Sequence, residues 1–222
     1  MKRLIFLGAA LGLISLASCS KMDTHYKDFI ENGAKIYTGK ADSLKATGGN
    51  GSVVLSWILF SDQNITGCRI FWNFGADSLV IPVKRSLHPD TLRLPIKLSE
   101  GSYNFTVYTF DQKGNSSVGA EVIGNSYGAI FQSSILPRTV RVADRSSAAG
   151  TISITWVGKE EKCIGTEWKF TGKDNLPKTW FSPVSDTTLL SGCDVNKPVT
   201  YRSAYLPEKA AADTFYTDYK PL

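Results

Sequence analysis

The sequence predicts an all-β chain built as two tandem β-sandwiches, and three observations carry that expectation. From Ser43 onward, short segments of alternating apolar and polar residues are separated by Gly, Asn, Asp and Pro, the period-two pattern of half-buried strands. No stretch there has the longer apolar periodicity of a full helix. The segment G-S-V-V-L-S-W, Gly51 to Trp57, recurs as G-T-I-S-I-T-W, Gly150 to Trp156, so one unit is written twice. With 222 residues, 42% hydrophobic and 20% charged, the chain has room for two small domains.

The first sandwich is expected over residues 41–125, with strands at 43–47, 52–59, 67–73, 78–83, 91–96, 103–110 and 117–123. Gly49-Asn50-Gly51 supplies residues tolerant of positive φ before the second strand, and Asp111 to Asn115 supplies turn residues for the last hairpin. A linker at 126–135 leads to the second sandwich at 136–222. Its strands are expected at 139–143, 151–157, 165–171, 179–184, 187–190, 199–205 and 214–219. Gly67 aligns with Gly165, Asp90-Thr91 with Asp186-Thr187, and Tyr103 with Tyr201.

Strand alternation assigns faces. Val53, Leu55 and Trp57 share one side, as do Ile152, Ile154 and Trp156, and the hydroxyls of Ser153 and Thr155 mark the opposite side as the outer one. Both tryptophans are therefore expected in cores. On the third strand Cys68, Ile70 and Trp72 point inward, leaving Arg69 and Phe71 outward; on the sixth, Tyr103, Phe105 and Val107 point inward, leaving Asn104, Tyr108 and Phe110 outward. Phe71, Tyr108 and Phe110 thus form a candidate aromatic patch, with Arg69 and Asn104 as its polar contacts. Flat rings suit the C–H faces of sugars, and they equally suit burial against the preceding tether, the other domain or a partner protein. Trp180-Phe181, between Pro177 and Pro183, is a second aromatic candidate.

The amino terminus has a basic start at Lys2 and Arg3, an uncharged, mostly apolar run over 4–16, and then small residues, the layout of a secretory signal over 1–18. The apolar run is shorter than the roughly 20 residues a bilayer-spanning helix needs. Leu16-Ala17-Ser18-Cys19 resembles the bacterial lipobox, which implies lipidation of Cys19 and a tether over 19–40. Several acyl chains, at ~0.8 kcal/mol per buried CH₂, would hold the chain at a membrane. Ser20 in place of aspartate after that cysteine implies, by the same resemblance, the outer membrane, with the leaflet face left open.

The formal charge of +5 includes Lys2 and Arg3 and is spread without a basic run, which argues against nucleic acid as a partner. Apart from Cys19 there are three cysteines, so one pair and one free thiol are expected in an oxidising compartment. Cys163 and Cys193 are the candidate pair, whose loop would be worth roughly 3–4 kcal/mol in the chain-entropy model, and Cys68 is read as a core thiol. No C-x-x-C and no nearby histidine supports a metal site, and no cofactor motif is present. The only histidines are His25 and His88, which leaves no histidine-based triad and no H-E-x-x-H; the chain is read as a non-enzyme.

Leu98-Ser-Glu-Gly-Ser-Tyr103-Asn-Phe105-Thr-Val107-Tyr108 resembles the sixth strand of a fibronectin type III domain, tyrosine corner included, and Trp57 then resembles that family's second-strand tryptophan. The order of lipobox, Tyr26-Lys-Asp-Phe29-Ile, Gly33-Ala-Lys-Ile-Tyr37, two such sandwiches and Tyr127-Gly128 to Phe131 resembles an uncharacterised outer-membrane lipoprotein family of Bacteroidota-type bacteria. That resemblance implies association with polysaccharide-utilisation systems. The expected partners are a membrane, through the anchor, and a polysaccharide or outer-membrane uptake proteins. Asp-Ser/Thr-apolar triplets at Ser43, Ser78 and Thr91, with a related one at Thr187, resemble the O-glycosylation signal of that lineage, which implies candidate glycosylation there, and they are equally ordinary strand-edge composition.

Lipid anchoring predicts that Cys19→Ala abolishes labelling with radioactive palmitate and moves the protein out of the membrane fraction. Retention in membranes would disprove the anchor.

Overall fold

The computed structural model describes residues 36–146 and 150–222; Cys19 and the greater part of the expected tether lie outside them. The first unit comprises β1 (Asp42–Gly49), β2 (Ser52–Leu59), β3 (Ile65–Trp72), β4 (Asp77–Pro82), β5 (Asp90–Lys97), β6 (Gly101–Asp111) and β7 (Ala120–Ser126). A three-stranded sheet, β1-β2-β5, faces a four-stranded one, β4-β3-β6-β7. All pairs are antiparallel. Strand β2 alternates between half-buried and buried along its whole length, as its sequence requires. Val53, Leu55, Trp57 and Leu59 meet Ile70, Phe105 and Val107 of the facing sheet in one core.

The second unit repeats this arrangement. Its elements are β8 (Val140–Ser146), β9 (Thr151–Trp156), β10 (Cys163–Thr171), β11 (Pro177–Pro183), β12 (Thr187–Ser191), β13 (Thr200–Tyr205), β14 (Phe215–Tyr216) and β15 (Lys220–Pro221). Sheet β8-β9-β12 faces β11-β10-β13-β14, with β15 also paired to β13. The chain is thus all-β, two tandem sandwiches of fibronectin type III type. Gly51 (φ 63°) and Gly150 (φ 61°) both enter their second strands in the left-handed region, which a Cβ disfavours. Trp156, Trp168 and Tyr201 form an aromatic core whose centroids lie 5.2–5.9 Å apart. The buried Arg138 guanidinium stacks 4.2 Å from the centre of Trp156 and donates through Nη2 to the carbonyls of Gly158 and Ser185, each at 2.9 Å.

A tyrosine corner is present in the first unit: the Tyr103 hydroxyl donates to the carbonyl of Ser99 at 3.0 Å. The expected match of Tyr103 with Tyr201 is corrected by strand register. Tyr201 stands opposite Trp168 as Val107 stands opposite Ile70, and its hydroxyl donates to the Arg138 carbonyl at 2.8 Å. The Cys163–Cys193 bridge is corrected too. Cys163 opens β10, whereas Cys193 pairs with Gly172 just beyond that strand's other end, so about 30 Å of extended chain separates them and both thiols are free.

Between the sandwiches runs α1 (Ala129–Ser134), a helical turn inside the segment expected as a linker. The Glu100 carboxylate accepts hydrogen bonds from the amides of Ile130 (2.7 Å) and Phe131 (2.8 Å) at the start of this helix. Tyr127, Phe131 and Phe215 then pack edge-to-face, with centroids 5.0–6.4 Å apart. Glu208 of the second unit accepts from the Gly48 amide at 2.7 Å and from the Tyr127 hydroxyl at 3.2 Å. The Ala212 amide donates back to the Gly48 carbonyl at 2.7 Å, and Asp213 accepts from the Asn50 amide at 2.8 Å. The β1–β2 turn is thereby held in a clasp from the second sandwich.

Candidate functional site

The expected outward residues of β3 and β6 meet on the outer face of the four-stranded sheet. Arg69 pairs across the strands with Tyr108, and Phe71 with Thr106. The rings of Phe71 and Tyr108 contact edge to face, with centroids 5.9 Å apart and planes at 84°. Arg69, Phe71, Tyr108, Phe110, Gly114 and Ser116 line an open depression of about 470 Å³. Its floor depends on a missing side chain: a Cβ on Gly67 would come within 2.3 Å of Phe110 Cζ, so Phe110 lies flat over that glycine.

The far wall is set by the β6–β7 loop. Asp111 accepts hydrogen bonds from the amides of Lys113 and Asn115, each at 2.9 Å, and from the Asn115 side chain at 2.7 Å. These bonds, the Asn115 side chain first among them, hold its carboxyl below the usual carboxylate range. They fix Gly114 and Ser116 over the depression before any ligand arrives. On the amino-terminal side, Thr38 and Thr109 share a hydroxyl hydrogen bond at 2.7 Å, which brings Ile36 and Tyr37 alongside Tyr108.

A second depression, of about 330 Å³, continues past Phe71 and Tyr108 and is lined also by Trp72, Phe74 and Asn104. Phe74 is 105% exposed and sits at φ 55°, ψ 30°, between Asn73 and Gly75, which also have positive φ. A bulky residue held there carries backbone strain of about 1–3 kcal/mol. Sequence reasoning missed Phe74 because alternation speaks only of strand residues; the available signal was the Asn-x-Gly turn around it. Gly114 and Ser116 were missed for the same reason.

The other sequence candidates do not join this face. Trp180 belongs to the second sandwich, opposite Trp168 on the core side of the edge strand β11, and is 41% exposed. Phe181 points to the other side, over Gly165. Ser43, Ser78, Thr91 and Thr187 are all exposed at separate places on β1, β4, β5 and β12. Cys68 is fully buried, and burial pushes its thiol up to about 11 against the opposing effect of the neighbouring Trp57 indole. Among the described residues, neither a carboxylate nor a histidine lines the first depression. Among the described residues there is no group of three or more His, Cys, Asp or Glu side chains fit to hold a metal, and no helix long and apolar enough to cross a membrane.

At the equivalent face of the second sandwich the residues differ. Glu167, Lys169, Arg202 and Ala204 stand where the first has Arg69, Phe71, Tyr108 and Phe110. Arg202 Nε donates to Glu167 at 2.7 Å, and its guanidinium stacks on Tyr216 (3.9 Å) and Tyr219 (4.8 Å). Lys169 lies 4.1 Å from the centre of Tyr219, whose hydroxyl donates to Glu167. This copy fills its outer face with its own side chains.

Residues 19–215 match the model of a family described as a domain of unknown function, DUF4998. The chain belongs to that family. No curated protein matches it. Solved structures similar to the chain include the FN1–FN3 domains of chicken CNTN1, at 13% identity over 84% of this chain and 67% of that one, with a TM-score of 0.47. A segment of two fibronectin type III domains from chicken tenascin is 8% identical over 83% of this chain and all of that one, with a TM-score of 0.32.

The dependence of Phe110 on Gly67 is testable by a double-mutant cycle in urea. Gly67→Ala should cost about 1–3 kcal/mol, because the ring must be expelled. Adding Phe110→Ala should recover most of that loss, since it removes the clash. A Gly67→Ala chain that unfolds like the parent would refute the packing.

Proposed function

We propose that this DUF4998 protein is a non-catalytic cell-envelope lipoprotein that serves a polysaccharide-uptake system by binding glycan on the outer face of its first sandwich. The observation that carries the reading is the open depression itself: three aromatic rings and a guanidinium on a rigid sheet, in the copy of the repeat whose described residues do not fill the face. Rings presented on strands lose little freedom on binding and match the C–H faces of pyranose rings. Together with the adjoining depression by Phe74, the surface is open and elongated, which suits part of a chain better than a small metabolite. The lipobox at Cys19 and the resemblance to outer-membrane lipoproteins supply the setting, and the second sandwich acts as a spacer clasped to the first.

A second reading, docking of an outer-membrane protein partner by strand addition, has one observation in its favour. Edge strand β4 presents Leu79 and Val80, 37% and 49% exposed, and one side of its backbone pairs with no other strand among the described residues.

Affinity gel electrophoresis of the full chain against a polysaccharide panel separates the two. Glycan binding predicts retardation by at least one polymer, weakened about tenfold by Phe71→Ala and by Tyr108→Ala, a loss of about 1.4 kcal/mol each, with thermal unfolding little changed. Retention of no polysaccharide, together with capture of an outer-membrane protein through β4, would transfer the function to the second reading.

A further inference from the structure

We infer that the glycan recognised by this face is an acidic polysaccharide, with a carboxylate or sulfate of the sugar chain seated on Arg69. The inference rests on the glycan-binding reading and names its substrate class. Arg69 is exposed, lines the depression between aromatic rings, and has no carboxylate partner among the described residues. The other charges around it are accounted for. Asp111 is committed to its own loop through Lys113 and Asn115, and Glu121 lies across β7 opposite Thr106, lining neither depression.

The second sandwich shows what this pair of positions accepts. There the residue opposite Arg202 is Glu167, whose Oε1 accepts hydrogen bonds both from the guanidinium and from the Tyr219 hydroxyl while the rings of Tyr216 and Tyr219 flank the charge. The first sandwich keeps the guanidinium, now at Arg69, and the flanking rings, now Tyr108, Phe71 and Phe110, but among the described residues no carboxylate lines the depression they form. An acidic sugar supplies the missing group. Its ring lies on Tyr108 and Phe71 while its anion takes a charge-assisted, two-pronged bond from Arg69, so stacking and charge are satisfied by one residue of the polymer. A neutral glycan satisfies the rings alone and leaves Arg69 to water.

The test uses the full chain in affinity gels cast with polygalacturonate, with the same polymer after reduction of its carboxyl groups, and with a neutral glucan. The proposal predicts retardation by polygalacturonate that falls at least tenfold with reduced polymer, with raised salt and with Arg69→Gln, and returns in part with Arg69→Lys. Thermal unfolding of Arg69→Gln should match the parent, because the side chain is exposed. Equal retardation by the reduced or neutral polymer, lost with Tyr108→Ala but not with Arg69→Gln, would overturn the acidic class and leave glycan binding intact. Retardation by none of these polymers would overturn the acidic class, and retardation by none of the wider polysaccharide panel would overturn glycan binding with it. Protection of β3 and β6 from hydrogen exchange by the chain's own residues 20–35 would also overturn the proposal, by assigning the face to an internal occupant.

Discussion

Everything distinctive about this protein's exposed face depends on a β-bulge at the start of β3. Ile65 pairs with Asp111 and Gly67 with Phe110, so Thr66 is the extra residue that shifts the register. A strand's faces alternate, and a slip of one residue would send Arg69 and Phe71 inward and Cys68 and Ile70 out to water. The bulge and the apolar set Cys68, Ile70, Phe105 and Val107 therefore specify one register together. The same device recurs in the second sandwich, where Cys163 pairs with Tyr205 and Gly165 with Ala204. In both copies the glycine after the bulge lies beneath an aromatic ring, Phe110 in one and Phe181 in the other.

On that shared frame the two copies diverge in a way that physical chemistry makes intelligible. Core positions stay buried while their side chains change: Ile70 gives way to Trp168 and Val107 to Tyr201, and Cys68 to Thr166, whose hydroxyl is hydrogen-bonded to Ser182 at 2.8 Å. Outer positions differ in kind. The second copy pairs its charges across β10 and β13 and covers them with tyrosines from β14 and the segment before β15, a closed ladder of ion pair and cation–π contacts. The first copy offers rings and a guanidinium without a carboxylate partner among the described residues, beside a loop braced by Asp111. Glu208 and the Tyr127–Phe131–Phe215 cluster then join the copies, so that the open face is carried on a jointed unit whose junction has its own apolar and hydrogen-bonded contacts.

Much of the fold was legible because strands announce themselves through alternation. Strand β2 was expected at 52–59 and occupies Ser52–Leu59. Misplacements arose where side chains replace backbone pairing. The last strand of the first unit was expected from residue 117 but begins at Ala120, since Ser116 and Ser117 bond back to Thr109. The final strand was expected whole at 214–219; it is divided because the Thr217 hydroxyl accepts from the Ser203 amide at 2.9 Å. Matching Tyr103 to Tyr201 failed because a tyrosine in an apolar strand carries no register of its own, whereas the bulge glycines do. At the candidate site, Arg69, Phe71, Tyr108 and Phe110 followed from alternation. Phe74 and Ser116 lie in turns, where position is set by positive φ and hydrogen bonding that no periodicity records.

The central claim, that function resides on the open face of the first sandwich, is tested most directly by amide correlation spectra of the full chain during titration with a uronic-acid oligosaccharide. Saturable shifts are expected at Arg69, Phe71, Phe74, Tyr108, Ser116 and their immediate neighbours alone, with the second sandwich unmoved. Shifts centred on the second sandwich or on the β4 edge, or spectra that do not change at all, would contradict it.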